Sequence, residues 1–170
     1  FCVLTGTAQD NSQYIDSIQN EIDRLEEKRI ELISMLSNMK LNEFNKDLIK
    51  FGLPKTTDND EIIEHNAFVL SYNEEHEQAD WVAHIISKDI IQAGFTRTND
   101  FREDPKVKNG SSFEKDFFLK KLLEDSTYEY DGYGYDRGHL APSADFRWNL
   151  DAMSESYYYS NMSPQLPEFN

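Results

Sequence analysis

The chain has 170 residues, and 32 Asp and Glu against 17 Lys and Arg give it a formal charge of −15 and a pI near 4.5. That balance predicts solubility and repulsion from phosphate, so composition alone makes nucleic acid an unpromising partner. Its 38% hydrophobic and 13% aromatic residues suffice for one packed domain plus an appendage, while 7 Gly, 5 Pro and a single cysteine exclude collagen-like, low-complexity and disulfide-framework classes.

No apolar run approaches the roughly 18 residues of a membrane span, so no membrane-spanning segment is expected. Phe1-Cys2-Val3-Leu4-Thr5-Gly6-Thr7-Ala8 is apolar or small and uncharged, and it leads into polar Gln9-Asp10-Asn11. It reads as the tail of a secretory signal peptide, with Gly6 and Ala8 near the cleavage point, and an apolar N-terminal strand is the alternative. Residues 1–10 are assigned to that remnant, which implies a secreted or periplasmic bacterial protein.

Ile15, Ile18, Ile22, Leu25, Arg29, Leu32, Leu36 and Met39 keep an uninterrupted spacing of three and four, and neither Gly nor Pro occurs between Gly6 and Gly52. These are a and d positions of a heptad, broken chemically only by Arg29, and they predict a helix of about 30 residues. Residues 11–50 therefore form a coiled-coil-like segment, with a homodimer through this helix as one outcome and packing on its own domain as the other. Residues 51–170 form the second domain, opening on Gly52-Leu53-Pro54 and a polar connector at 56–61.

The period then changes. Phe68-Val69-Leu70-Ser71-Tyr72 and Trp81-Val82-Ala83-His84-Ile85-Ile86 are β-branched or aromatic runs flanking a turn-forming, acidic stretch at 73–80, and they predict two antiparallel strands. Phe113, Phe117, Phe118, Leu119, Leu122 and Leu123 within 112–125 suggest a short amphipathic helix. Residues 128–135 alternate aromatic, acidic and glycine residues, as a loop would. Its Tyr130, Tyr133 and Tyr135 could stack on bases, although packing is the commoner use of such residues.

No third of the chain is basic: residues 111–170 carry 11 acids and 5 bases. Two of those bases, Arg137 and Arg147, nonetheless flank a lone histidine. Asp136-Arg137-Gly138-His139-Leu140-Ala141-Pro142 places an imidazole near a guanidinium, a pairing suited to phosphate chemistry. Neutral imidazole takes a proton near pH 7, and arginine grips phosphate through parallel hydrogen bonds. Alone, a histidine near an arginine is more often a surface pair.

A second segment changes the balance: Ser160-Asn161-Met162-Ser163-Pro164-Gln165, with Tyr157-Tyr158-Tyr159 before it and Asn170 beyond it. Together the two segments resemble the DNA/RNA non-specific endonuclease family, the ββα-metal or His-Me finger nucleases, which include secreted bacterial nucleases and the endonuclease G type. The resemblance extends upstream through Asp80-Trp81-Val82-Ala83, Gly94-Phe95-Thr96-Arg97 and Phe101-Arg102-Glu103-Asp104-Pro105, and does not cover residues 1–50.

The resemblance implies an α+β fold with a mixed central sheet and a ββα-metal finger, here preceded by the long heptad-bearing helix. It implies that His139 is the general base and that Asn170 is the direct protein ligand of Mg²⁺, with Mn²⁺ or Ca²⁺ as alternatives. Arg97 and Arg137 resemble the phosphate-contacting arginines, and Asn161 the asparagine that supports the site, so these join His139 in the catalytic set. Asp136 is expected to organise the turn and the metal's water shell. In the family a helix follows the position of Asn170 and carries a further carboxylate that holds metal-bound water. No such residue follows here, so the resemblance implies that the natural polypeptide continues and that the C-terminal part of the fold is absent.

His65, His76 and His84 lack the i, i+4 spacing of a helical zinc site and are read as non-catalytic, with apolar neighbours expected around His84. The function so implied is metal-dependent hydrolysis of phosphodiesters in DNA and RNA, leaving a 5′-phosphate. The alternatives are a coiled-coil interaction or adhesion protein carrying an inactive nuclease-like domain, and a phosphodiesterase of smaller substrates.

Overall fold

The computed structural model describes residues 6–56, 61–86, 88, 95–125, 128–130 and 134–170. Residues 1–5 of the leader-like segment, most of the connector, Gly94 and Tyr133 lie outside the described residues, as does the side chain of Tyr130. Two compact units are present, Phe1–Lys40 and Leu41–Asn170.

Helix α1 spans Gly6–Phe51, 46 residues rather than about 30. Nothing in that stretch breaks it, and its solvent face carries i, i+3 ion pairs between Glu21 and Arg24 and between Lys28 and Glu31. It stops at Gly52, whose φ of +87° is a left-handed conformation that costs glycine little, and whose N–H donates to the Ile49 carbonyl. Within the first unit the heptad residues Ile15, Ile18, Ile22, Leu25, Leu32, Leu36 and Met39 are all exposed.

In the second unit the end of α1 uses a different face. Leu41, Phe44 and Leu48, again three and four apart, turn inward, and the Phe44 ring lies 4.8 Å from that of Trp148. An antiparallel meander follows: β1 (Glu61–Glu64), β2 (Phe68–Asn73) and β3 (Gln78–His84), with Leu70 opposite both Ile63 and Val82. Central β2 is buried along most of its length, and full burial of a side chain such as Phe68 or Leu70 contributes about 2–3 kcal/mol. The β2–β3 turn is fixed by the Asn73 carboxamide oxygen, which accepts from the N–H groups of Glu75 and His76.

Two smaller ladders complete the unit. Strand β4 (Lys120–Leu122) pairs with β5 (Tyr128–Tyr130), and β6 (Asp136–His139) pairs with β7 (Met162–Gln165), both antiparallel. The parallel component of the expected mixed sheet is, among the described residues, an isolated bridge between Arg102 and Tyr158. Between β6 and β7 run a 3-10 turn at Ser143–Phe146 and helix α2 (Leu150–Glu155), which is capped by the Asn149 side-chain oxygen accepting from Ala152 N–H.

The helix expected over 112–125 does not form. A single 3-10 turn at Glu114–Phe117 gives way to extended Phe118 and then to β4. The Phe117 carbonyl, which would accept from residue 121 in an α-helix, instead takes the Tyr135 N–H at 2.7 Å. Gly134 permits that approach, because a Cβ there would collide with the Phe117–Phe118 backbone.

His65 and His84 both serve as structural partners of carboxylates. His84 was expected among apolar neighbours; its ring does pack on Phe146, but Nε2 meets Asp145 at 2.9 Å. His65 Nε2 meets Asp104 at 2.9 Å in the interior, and Asp104 also accepts from the Ser160 hydroxyl and from Lys106 N–H. Burial alone would raise the Asp104 pKa, but these hydrogen bonds outweigh it and hold the group below the usual carboxylate value. The stability it supplies is therefore present above that usual value and lost as pH falls through the lowered one. Asp104→Ala, which strands His65 and Ser160, should cost about 2–4 kcal/mol at pH 7 in denaturant unfolding.

Candidate active site

Strand β6 carries the Asp-Arg-Gly-His motif, and its period of two sets Arg137 and His139 on one face of the β6–β7 hairpin. Both meet Phe101: the Arg137 guanidinium lies 3.9 Å above the ring, and the His139 imidazole meets it edge-on at 5.8 Å. Tyr157, fully buried, presents its ring to His139 at 4.9 Å and to Phe101 at 4.9 Å, both near perpendicular. The Tyr157 hydroxyl accepts from Arg97 Nε at 2.7 Å and donates to Ser143 Oγ at 3.2 Å. Two aromatic rings thus position an imidazole and two guanidinium groups.

The imidazole is held neutral. Burial, and secondarily the Arg97 charge, push the His139 pKa down to about 4, and Nε2 is enclosed without a hydrogen-bond partner.

Asn161 lies behind the histidine with no exposure. Its side-chain oxygen accepts from Ala141 N–H at 2.9 Å, and its Nδ2 donates to the carbonyls of Ala141 at 3.0 Å and Ser156 at 2.8 Å. Its own carbonyl takes the Leu140 N–H. The carboxamide oxygen and one amide hydrogen are thus spent on Ala141, two residues past His139, and the other hydrogen on Ser156.

Beside the hairpin lies an open groove of about 620 Å³, bordered by Arg97, Phe101, Glu114, Asp136, Arg137 and Asn170; His139 does not itself line it and is joined to it through Phe101 and Arg137. Arg97, Arg137, Asp136 and Asn170, predicted separately from sequence, share this one groove. The Asn170 side-chain nitrogen donates to Asp136 at 3.3 Å, which brings an amide and a carboxylate together. Among the described residues no three His, Cys, Asp or Glu side chains cluster, so no cage of the zinc kind is built there. Oxygen donors from Asn170 and Asp136 instead suit a hard cation that keeps several waters and completes its shell with substrate phosphate. Of the loop tyrosines, Tyr135 borders the groove.

Phe101 and Tyr157 have no task that the sequence alone assigns. The signal was their type and place, an aromatic beside each motif segment, but an aromatic run reads as core until its contacts are known.

A histidine-bearing hairpin backed by an asparagine clamp and facing a groove with arginine, amide and carboxylate is the arrangement of a ββα-metal nuclease fold. The sequence agrees: the profile of the DNA/RNA non-specific endonuclease family matches residues 44–170, and the chain belongs to that family. Mitochondrial endonuclease G of Homo sapiens is 32% identical over 125 residues, covering 73% of this chain and 37% of that protein. Nuclease C1 of Cunninghamella echinulata var. echinulata is 30% identical over 122 residues, covering 72% of this chain and 44% of that one. Among solved structures, a chain of the EndoG/EndoGI complex, whose crystal structure addresses the mechanism of EndoG inhibition, superposes with a TM-score of 0.55 at 25% identity, over 71% of this chain and 44% of that chain. The chain thus spans less than half the length of each of these relatives.

An NMR titration of the His139 ring should give a midpoint near 4, well below the ordinary 6.5. Because the folded value is the lower one, this site favours folding above pH 6.5 and loses that contribution as pH falls toward 4. Phe101→Ala, which opens the ring to water, should move the midpoint upward. A midpoint unchanged in that variant would show that the aromatic wall is not the cause.

Proposed function

We propose that this chain is the histidine-bearing part of a metal-dependent endonuclease that hydrolyses phosphodiester bonds in DNA and RNA, with His139 as general base. The observation that carries this reading is a neutral imidazole on the same hairpin face as Arg137, backed by Asn161 and adjoining a groove with Arg97, Asp136 and Asn170. The family relationship and the names of the relatives support it.

A backbone phosphate in the groove meets the guanidinium groups of Arg97 and Arg137, whose positive charge stabilises the extra negative charge of the transition state. His139 removes a proton from the attacking water. With Nε2 walled in, Nδ1 is the ring nitrogen that would receive it. At pH 7 the ring is already deprotonated and needs no prior step. Asn161 supplies position only, fixing residues 140–141 so that the imidazole does not rotate away. The Asn170 carboxamide oxygen is the group that would hold Mg²⁺, or Mn²⁺ or Ca²⁺ in its place, and the Asp136 carboxylate beside it would order the ion's water shell. When bound, the ion supplies charge neutralisation at the phosphate and the leaving 3′ oxygen.

Nicking of supercoiled plasmid by the full-length polypeptide tests this. Cleavage should require added Mg²⁺ and fall about a thousandfold in His139→Ala. Metal-dependent cleavage that survives that substitution would sink the general-base assignment, and wild type inactive with every divalent cation would favour an inactive, binding-only domain.

We also infer that the heptad seam of α1 pairs two copies of the chain. Seven apolar a and d residues stand exposed in register on one helix, and a second copy is the surface that matches such spacing. Sedimentation equilibrium should show a dimer that becomes a monomer on deleting residues 11–36 and retains cleavage. A wild-type monomer at all concentrations would overturn the pairing.

A further inference from the structure

The second unit contains four arginines, and two of them have a carboxylate beside them. Arg102 is paired with Asp100 at 2.8 Å, and Arg137 lies 3.5 Å from Glu114. Arg97 and Arg147 have no carboxylate partner among the described residues. Each is tethered by Nε to an uncharged oxygen, Arg97 to the Tyr157 hydroxyl and Arg147 to the Phe95 carbonyl, both at 2.7 Å. A guanidinium held this way is fixed in direction while its two terminal nitrogens stay free for a ligand. In a chain of charge −15, two such cations side by side need an explanation.

They border one cavity. A pocket of about 310 Å³ is lined by Thr96, Arg97, Ser143, Ala144, Arg147 and Met153. No carboxylate lines it, because Asp145, the acid of the adjoining 3-10 turn, is engaged by His84 at 2.9 Å. Ser143 is 8% exposed, and its Oγ accepts from Tyr157 and so keeps its own hydrogen for donation. A relay from Arg97 through Tyr157 to Ser143 polarises that hydroxyl. Two uncommitted guanidinium groups, a polarised hydroxyl from a buried serine and an acid-free lining constitute an oxyanion site. Arg97 also borders the groove that holds Arg137, so the two spaces are neighbours through a shared side chain.

We propose that this cavity is a second phosphate-binding subsite, which takes the phosphodiester adjacent along the strand to the one being cut, with Arg147 and Ser143 as its own ligands and Arg97 shared between the two. The proposal rests on the nuclease reading above. Its consequence is selectivity for polymer: a substrate with one phosphate reaches only the groove, and a strand reaches both.

The test uses the full-length polypeptide and Arg147→Gln, which keeps a donor for the Phe95 carbonyl while removing the charge, with Arg147→Lys restoring charge. In a His139→Ala background, which spares the substrate, binding of a fluorescent single-stranded oligonucleotide is followed against salt. Arg147→Gln should weaken binding about tenfold and reduce the slope of log K on log salt by about 0.7, and Arg147→Lys should recover the slope. With His139 intact, the kcat/KM ratio between the oligonucleotide and the p-nitrophenyl ester of thymidine 5′-phosphate, which has one diester, should fall about tenfold in Arg147→Gln. An unchanged slope, or an equal loss on both substrates, would overturn the subsite. If Arg147→Gln fails to fold, Ser143→Ala decides instead: weaker oligonucleotide binding at constant slope supports the subsite, and unaltered binding overturns it. A wild-type chain that shows the Arg147-dependent slope but cleaves neither substrate would sink the nuclease reading alone.

Discussion

The site depends on a single buried phenol. Tyr157 is the side chain that ties the histidine, the groove arginine and the following loop to one another: its ring packs against His139 and Phe101, and its hydroxyl accepts from Arg97 and donates to Ser143. A ring fully surrounded by protein does not reorient, so every group that touches it inherits a fixed position. That rigidity costs little at the moment of reaction, because the donors already point where charge will develop. The same apolar wall dehydrates the imidazole, so one residue helps both to place the ring and to keep it neutral.

Under the nuclease reading proposed above, the arrangement gives an acidic chain a local means of holding a polyanion. Long-range attraction is absent, since no third of the sequence is basic. Attraction is confined to a few guanidinium groups: those of Arg97 and Arg147, held by a phenol and a carbonyl, and that of Arg137, which lies over an aromatic face with the Glu114 carboxylate 3.5 Å away. Neutral acceptors orient a cation without cancelling it. Elsewhere on the chain, Arg24 and Arg102 have direct acid partners and contribute nothing to such a field.

Much of this was readable in the residues, and what was not has a physical reason. The heptad spacing located α1, and the β-branched runs located β2 and β3, because a single periodicity dominated each window. Arg137, His139, Asn161 and Asn170 stand out through the family resemblance, and the fold brings Arg137 and Asn170 to one groove and His139 and Asn161 to the adjoining hairpin. The 112–125 segment misled because its phenylalanines fit a helical face, while the deciding event, capture of the Phe117 carbonyl by Tyr135, lies far along the sequence. His84 misled for the same reason, since its partner Asp145 is 61 residues away. The roles of Phe101, Tyr157 and Arg147 were invisible because they consist of contacts, and one-dimensional spacing records no contact between loops.

His139 closes the β6–β7 ladder opposite Met162, with Gly138 opposite Ser163, and Asn161 immediately precedes β7. The two sequence motifs are therefore a single object held in register by backbone pairing and by the Asn161 clamp on Ala141. A one-residue insertion within either strand would turn every following side chain to the other face. The reading frame of the hairpin is thus the one thing that the pairing of the two motifs does not let change.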